Sequence, residues 1–224
     1  MKVLLVEDDA SLREGMSDII SELAEVRSAG MVDEALASLR QERFELVLTD
    51  LRISGTGQGG RSIVEMARRR LQPVVLVSAA SEDELQRALQ PWEPDAILIK
   101  PFQLEDMTAL VDRFLAVRSE LEQRAQARPP EAGWTEEAPG VHVLRPSGAS
   151  AEQGLTWIRL QPGASYTWTH HPGRGRAGVL VVEGDLEVDG ARQAAPHYLF
   201  LSTSPLPAAR TEKGCLAVSL PLKG

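Results

Sequence analysis

The sequence predicts two folds in series: an α/β half built on a doubly wound parallel sheet, then an all-β half folded as a small antiparallel barrel. Three observations carry this. Up to about residue 122, short apolar runs alternate with amphipathic stretches of helical period. Beyond residue 130, glycine or proline recurs every few residues between apolar segments of strand length. Between the two, Arg128-Pro129-Pro130-Glu131-Ala132-Gly133 cannot continue a helix and reads as a connector. The composition shifts at the same place. Residues 1–122 carry 14 Lys/Arg against 23 Asp/Glu, residues 123–224 carry 10 against 9, and all four histidines (His142, His170, His171, His197) lie in the second half. The expected division is therefore 1–122, a helical extension and Pro-rich linker over 123–133, and a second domain over 134–224.

In the first half, Lys2 to Val6, Glu25 to Ser28, Glu45 to Thr49, Val74 to Val77 and Ala96 to Ile99 read as strands. The first, third, fourth and fifth are apolar enough to be buried on both faces. Ser11 to Leu23, Met31 to Arg40, Arg61 to Arg70 and Glu82 to Leu89 read as helices. A last helix begins near Leu104, places Met107, Leu110, Val111, Phe114, Leu115 and Leu121 at three- and four-residue spacing, and runs towards Arg128. Five β-α units of this kind require right-handed crossovers, with ligands at the carboxyl ends of the strands. In the second half, Gly154 to Leu160, Ser165 to Thr169, Gly178 to Val182, Tyr198 to Leu201 and Cys215 to Leu220 read as short strands. The stretch Val182 to Gly190 reads as an alternating strand between two turns. The run Arg68-Arg69-Arg70 reads as a solvated helix end.

With 224 residues, 43% hydrophobic and 25% charged, the chain is neither disordered nor collagen-like. No apolar run approaches the roughly 20 residues of a membrane span. Met1 to Val6 meets Glu7, Asp8 and Asp9 at once, which leaves no room for a signal-peptide core, so a cytoplasmic location is expected. The single Cys215 allows no internal disulfide.

The chemistry gathers at strand ends. Glu7, Asp8 and Asp9 follow the first strand and Asp50 follows the third; in a sheet of order 2-1-3-4-5 these strands are neighbours, so the acids converge. Like charges this close need a cation, and a hard divalent ion such as Mg²⁺ takes one or two carboxylates and keeps waters elsewhere. Asp9 is open to a second reading, as the start of the following helix. Ser78 closes the fourth strand and Lys100 the fifth, ahead of Pro101-Phe102. A hydroxyl and an ammonium beside a metal-bound carboxylate make an oxyanion site at which Asp50, as nucleophile, could accept a phosphoryl group.

On Val3-Leu4-Leu5-Val6-Glu7-Asp8-Asp9, Leu48-Thr49-Asp50-Leu51, Val77-Ser78-Ala79 and Ile99-Lys100-Pro101-Phe102, the first 122 residues resemble a response-regulator receiver domain of two-component signalling, with its flavodoxin-like fold. The resemblance implies that Glu7 and Asp8 bind Mg²⁺, Asp8 more directly, with the main-chain carbonyl of Arg52 as a further ligand. It also implies that Asp50 is the phosphoacceptor, Ser78 the hydroxyl that contacts the phosphoryl group and Lys100 the site lysine, whose bond to the next proline is usually cis. The phosphoryl group would come from a histidine kinase or phosphotransfer protein, and the receiver would catalyse its own phosphorylation. Two departures stand out. Ile97 occupies the place of the family's switch aromatic, and Ile53-Ser54-Gly55-Thr56-Gly57-Gln58-Gly59-Gly60 replaces the usual turn after the acceptor, its four glycines reading as a mobile loop.

The second half resembles a cupin, more narrowly the cupin domain of ChrR-type anti-sigma factors. The resemblance rests on Trp134, Pro139-Gly140-Val141, Ile158 to Ala164, Val179 to Leu186 and Glu212-Lys213-Gly214-Cys215. The family's four metal ligands fall on Thr169, His171, Ala177 and Pro207, so three are missing; His170 is the candidate substitute. The expectation is a cupin without metal, used for dimerisation or for docking to another protein. Trp157, Tyr166, Trp168, Tyr198 and Phe200 fill or line its interior. A receiver-controlled enzyme, metal-dependent or binding a small ligand, is the alternative, and a phosphorylation-insensitive scaffold a third reading. With no helix-turn-helix and a nearly neutral second half, direct DNA binding is not expected.

Overall fold

The computed structural model describes residues 1–53, 59–145, 154–168, 176–202 and 208–222, without the side chains of Glu82, Asp83 and Gln86. The chain forms two compact units, 1–115 and 116–224. In the first, β1 (Lys2–Val6), β2 (Glu25–Ala29), β3 (Leu46–Thr49), β4 (Val74–Ser78) and β5 (Ala96–Ile99) alternate with α1 (Ala10–Ser21), α2 (Val32–Gln41), α3 (Gly59–Arg69), α4 (Glu82–Leu89) and α5 (Leu104–Ala127). The sheet is parallel in the order β2-β1-β3-β4-β5, the flavodoxin-like order that the βα alternation predicts. Helices on both faces bury β3 and β4 throughout and all of β1 but Lys2, so these read as continuous apolar runs.

The fifth strand departs from expectation. It is a sheet edge, and Ile97 and Ile99 are exposed, so it is not buried on both faces. The basic run also resolves differently. Arg68 is nearly buried and reaches Asp95 at 3.1 Å, while the other oxygen of Asp95 accepts the Val74 N–H at 2.8 Å. Arg69 lies over the Trp92 ring at 5.0 Å. Only tertiary proximity of α3 to the loop before β5 turns these arginines from a solvated end into a tie.

Of the four glycines after Asp50, Gly55 and Gly57 lie outside the described residues. Gly59 and Gly60 are the buried first residues of α3, so that part of the expected loop is helix. Gly60 is required by close approach: a Cβ there would stand 2.1 Å from the Asp50 carbonyl oxygen and 2.6 Å from Leu51 Cα.

The second unit contains β6 (Thr135–Ala138), β7 (Val141–Leu144), β8 (Thr156–Leu160), β9 (Ser165–Tyr166), β10 (Ala177–Val188), β11 (Ala191–Ala194), β12 (His197–Leu201), β13 (Ala209–Arg210) and β14 (Cys215–Pro221). They form an antiparallel curled sheet organised by β10, which pairs with β12 and β14 through its first half and with β11 and β13 through its second. The stretch expected to hold two turns holds one. The β10 bulge is at Val182, since Val181 and Glu183 face the consecutive residues Ala217 and Leu216 of β14; Gly184, at φ 77°, stays paired with Cys215, and only Asp189-Gly190, both at positive φ, reverses the chain into β11. The bulge lets one strand serve both parts of the curl. Asp185 secures it: its buried carboxylate accepts the N–H groups of Lys213 at 2.9 Å and Glu212 at 3.2 Å and the Thr211 hydroxyl at 3.3 Å. Burial would raise its pKa, but these donors, with Arg192 beside it, hold the carboxyl below the usual range.

The units divide inside α5, whose residues 116–127 belong to the second. Gly178 and Leu180 stand opposite Phe200 and Tyr198 on β12 and opposite Leu220 and Val218 on β14, and Val218 stands opposite Trp157. Opposed residues share a face. This is the face that α5 covers: a Cβ at Gly178 would lie 2.6 Å from Val117 Cγ1 and 3.0 Å from Leu121 Cδ1, and the Arg118 guanidinium stacks on Tyr198 at 4.9 Å. Trp157, Tyr198 and Phe200 are therefore core on the helix side, not the lining of an enclosed interior. The opposite face carries Val179, Val181, Leu199, Ala217 and Ile158. Tyr166 and Trp168 pack edge to face at 5.0 Å.

Candidate functional site

Three strand ends of the first unit meet. Glu7 follows β1, Asp50 follows β3 and Lys100 follows β5. The Lys100 ammonium stands between the carboxylates, 2.6 Å from Glu7 Oε2 and 2.6 Å from Asp50 Oδ2. Parallel order puts β1 beside β3, and the Asp50 N–H donates to the Val6 carbonyl at 3.0 Å, which fixes the acid at the end of its strand. The Lys100–Pro101 peptide is cis. The Glu7 side chain is 3% exposed and that of Asp50 13%, so Glu7 is the more deeply buried of the two carboxylates and Asp50 the one nearer solvent. Desolvation pulls the Lys100 pKa down, but its hydrogen bonds to Asp50 and Glu7 outweigh that and hold it above the usual lysine value. Lys100 is thus a cation throughout the neutral range.

The other expected residues fall around this triad. Asp8 is exposed on the loop after β1. Asp9 caps α1, accepting the Leu12 N–H at 2.8 Å, so the helix-start reading holds for it. Ser78 is buried at the end of β4, where its hydroxyl accepts the Ala80 N–H at 3.2 Å. The Arg52 N–H donates to Asp50 Oδ1 at 3.1 Å, which places the Arg52 backbone beside the acid. Among the described residues no three His, Cys, Asp or Glu side chains group closely enough to hold a metal by themselves. In the second unit, His170, His171, Thr169 and Pro207 lie outside the described residues. Ala177 is buried in β10 and brings no donor. His197 opens β12.

Three contacts were not read from the sequence. Arg13 donates to the Glu7 carbonyl at 2.6 Å and to the Asp8 carbonyl at 3.3 Å, holding the acidic loop. Arg52 pairs with Glu84 of α4 at 2.5 Å. Gly60 lets α3 approach Asp50. No local pattern marks the first two as partners, since they are six and 32 residues apart; the glycine run was visible, but its packing role was not.

The response regulator receiver domain family matches residues 3–112, spanning the four strand ends just described. The N-terminal half is a response-regulator receiver domain. The chain is 31% identical over 126 residues to the probable C4-dicarboxylate response regulator DctR of Bacillus subtilis (strain 168), covering 54% of this chain and 55% of that protein. It is 36% identical over 119 residues to the response regulator protein FleR of Pseudomonas aeruginosa, covering 50% of this chain and 24% of that one. The chain thus spans about half or less of the length of these curated relatives. A receiver domain of the Pseudomonas aeruginosa sensor histidine kinase PA1611, solved with magnesium in its active-site cleft, is 20% identical, with a TM-score of 0.46 over 51% of this chain and 97% of that one. The receiver match ends before the β-rich unit, and it does not extend to a cupin.

The packing of Gly60 yields a test within the receiver. Gly60→Ala places a methyl group against main-chain atoms that cannot swing aside, and we expect it to cost about 1–3 kcal/mol by the usual scale of overpacking. Gly15→Ala in α1, where a Cβ meets nothing within 4 Å, is expected to be neutral or stabilising. Thermal unfolding of the two variants compares them directly; equal midpoints would remove the close approach as a constraint.

Proposed function

We propose that this protein is a cytoplasmic two-component response regulator that accepts a phosphoryl group on Asp50 from a histidine kinase or phosphotransfer protein. The observation that carries the reading is the Lys100 ammonium held between Asp50 and the buried Glu7. In the transfer, an Asp50 carboxylate oxygen attacks phosphorus and a P–O bond forms. The P–N bond of the phosphohistidine breaks, its electron pair returning to the imidazole, which takes up a proton. Lys100 is placed to neutralise charge on the phosphoryl oxygens, and Ser78, by turning its hydroxyl from the Ala80 N–H, to donate to one of them. Glu7 positions Lys100.

The residue types around Asp50 also fit Mg²⁺: Asp8 and Asp50 bring carboxylates and Arg52 a main-chain carbonyl, all hard oxygen donors, and such an ion keeps waters for its remaining positions. Glu7, the other expected ligand, is already engaged by Lys100, so its part is to hold that ammonium. When bound, the ion supplies positive charge where the transferred group becomes most negative.

The β-rich unit, residues 134–224 after the 123–133 connector, is read as a metal-free cupin-like output for protein docking or homodimerisation. The absence of a donor at Ala177 supports that reading over a metal-dependent enzyme. Incubating the full chain with acetyl phosphate and Mg²⁺ is expected to add one phosphoryl group by intact mass, and EDTA to suppress it. No addition under either condition would overturn the acceptor reading.

A further inference from the structure

The sequence Ser81-Glu82-Asp83-Glu84 has the form of a capping box, in which the serine takes the N–H of the third helical residue and the glutamate reaches back to the serine N–H. Half of the box is made. Ser81, extended at φ −68° and ψ 158°, accepts the Glu84 N–H at 3.4 Å. The Glu84 carboxylate is engaged elsewhere: it takes Arg52 Nη2 at 2.5 Å. Arg52 lies two residues after Asp50, with its backbone N–H on Asp50 Oδ1. The carboxylate suited to complete the α4 cap is thus held by a guanidinium tethered to the acceptor.

We propose that Arg52 and Glu84 form a phosphorylation-sensitive latch: a phosphoryl group on Asp50 draws the Arg52 guanidinium away from Glu84, and the released carboxylate completes the cap of α4. This rests on Asp50 being the acceptor. Three physical points support the exchange. Phosphorylation increases the negative charge beside Arg52 and adds acceptor oxygens that match the guanidinium fork. The pair it must break is exposed, with side chains 64% and 41% accessible, and exposed pairs are weak. Glu84 has a second partner of its own, because a carboxylate in the first turn also meets the positive end of the helix. Glu84 foremost, and Asp50 at longer range, already raise the Arg52 pKa, so the guanidinium feels both sites. Arg52 here is a positioning residue that acts on α4 through Glu84.

The test is hydrogen exchange at the first-turn amides of α4 in the full chain. Arg52→Ala frees Glu84, and Glu84→Gln keeps a capping acceptor while losing the ion pair; both are expected to slow exchange by about two- to five-fold without any phosphodonor, given the strength of an exposed pair. Wild type is expected to reach the same slow exchange only after loading with acetyl phosphate, with occupancy checked by intact mass. A purely structural salt bridge gives the opposite sign, faster exchange in Arg52→Ala. That result, or wild-type exchange unchanged at high occupancy, overturns the latch. A wild type that takes up no phosphoryl group defeats the acceptor reading and the trigger with it, while the Arg52→Ala arm still reports whether Glu84 and Ser81 compete as described.

Discussion

Asp50→Asn is expected to abolish phosphoryl uptake from acetyl phosphate while leaving the fold intact. The substitution keeps the size and one acceptor oxygen of the side chain but removes the anionic nucleophile, and an amide oxygen does not form the acyl phosphate. Lys100 keeps its other partner, Glu7, so the ammonium stays paired. Lys100→Met should behave differently. It leaves the nucleophile in place, removes one charge-stabilising donor, and should slow uptake by about 10²–10³-fold. It also leaves Glu7, 3% exposed at its side chain, without the cation it faces, so this variant should lose stability as Asp50→Asn does not. Intact mass over time, with thermal unfolding in parallel, separates the two. Undiminished uptake in Asp50→Asn would place the acceptor elsewhere.

The second large effect is expected in the β-rich unit. Gly178→Ala puts a methyl group 2.6 Å from Val117 Cγ1 and 3.0 Å from Leu121 Cδ1, where α5 lies on β10. Neither contact is ordinary, and the branched valine cannot swing clear. The helix must lift from a face that carries Leu180, Tyr198, Val218 and Trp157. A loss of about 2–3 kcal/mol is expected, read as a lower midpoint of thermal unfolding. Val117→Ala in the Gly178→Ala background should recover part of it, because the two changes share one volume. Equal destabilisation in single and double variants would refute the packing account.

Much of the receiver was legible because its signals are local. Strands buried on both faces show as unbroken apolar runs, as Val3 to Val6 and Leu46 to Thr49 do, and the residue that follows such a run is by construction at a strand end. Asp50 and Lys100 could therefore be assigned to one edge of the sheet before any coordinates. The edge strand Ala96–Ile99 misled for the same reason: its composition is apolar, and no sequence pattern tells whether a neighbour will cover Ile97 and Ile99. The β-rich unit was less legible. The strand Thr135–Ala138 is exposed throughout, Ala191–Ala194 alternates half-buried and exposed without a large apolar side chain, and Ala209–Arg210 is two residues long, so periodicity had little to register. Glu183-Gly184 carries a turn signal, but pairing with Leu216 and Cys215 keeps it inside β10, just after the bulge at Val182.

By itself the sequence determined the βα alternation, the placement of Glu7, Asp50, Ser78 and Lys100 at strand ends, and the change from helix to strands after Ala127, since each depends on residues close together in the chain. Tertiary structure alone decided that Lys100 sits between Glu7 and Asp50, that Arg52 holds Glu84, that Arg68 ties down Asp95, and that Gly178 admits α5. Each of those joins side chains brought together only when separate elements pack, and the free energy of that packing has no counterpart in any local window of sequence.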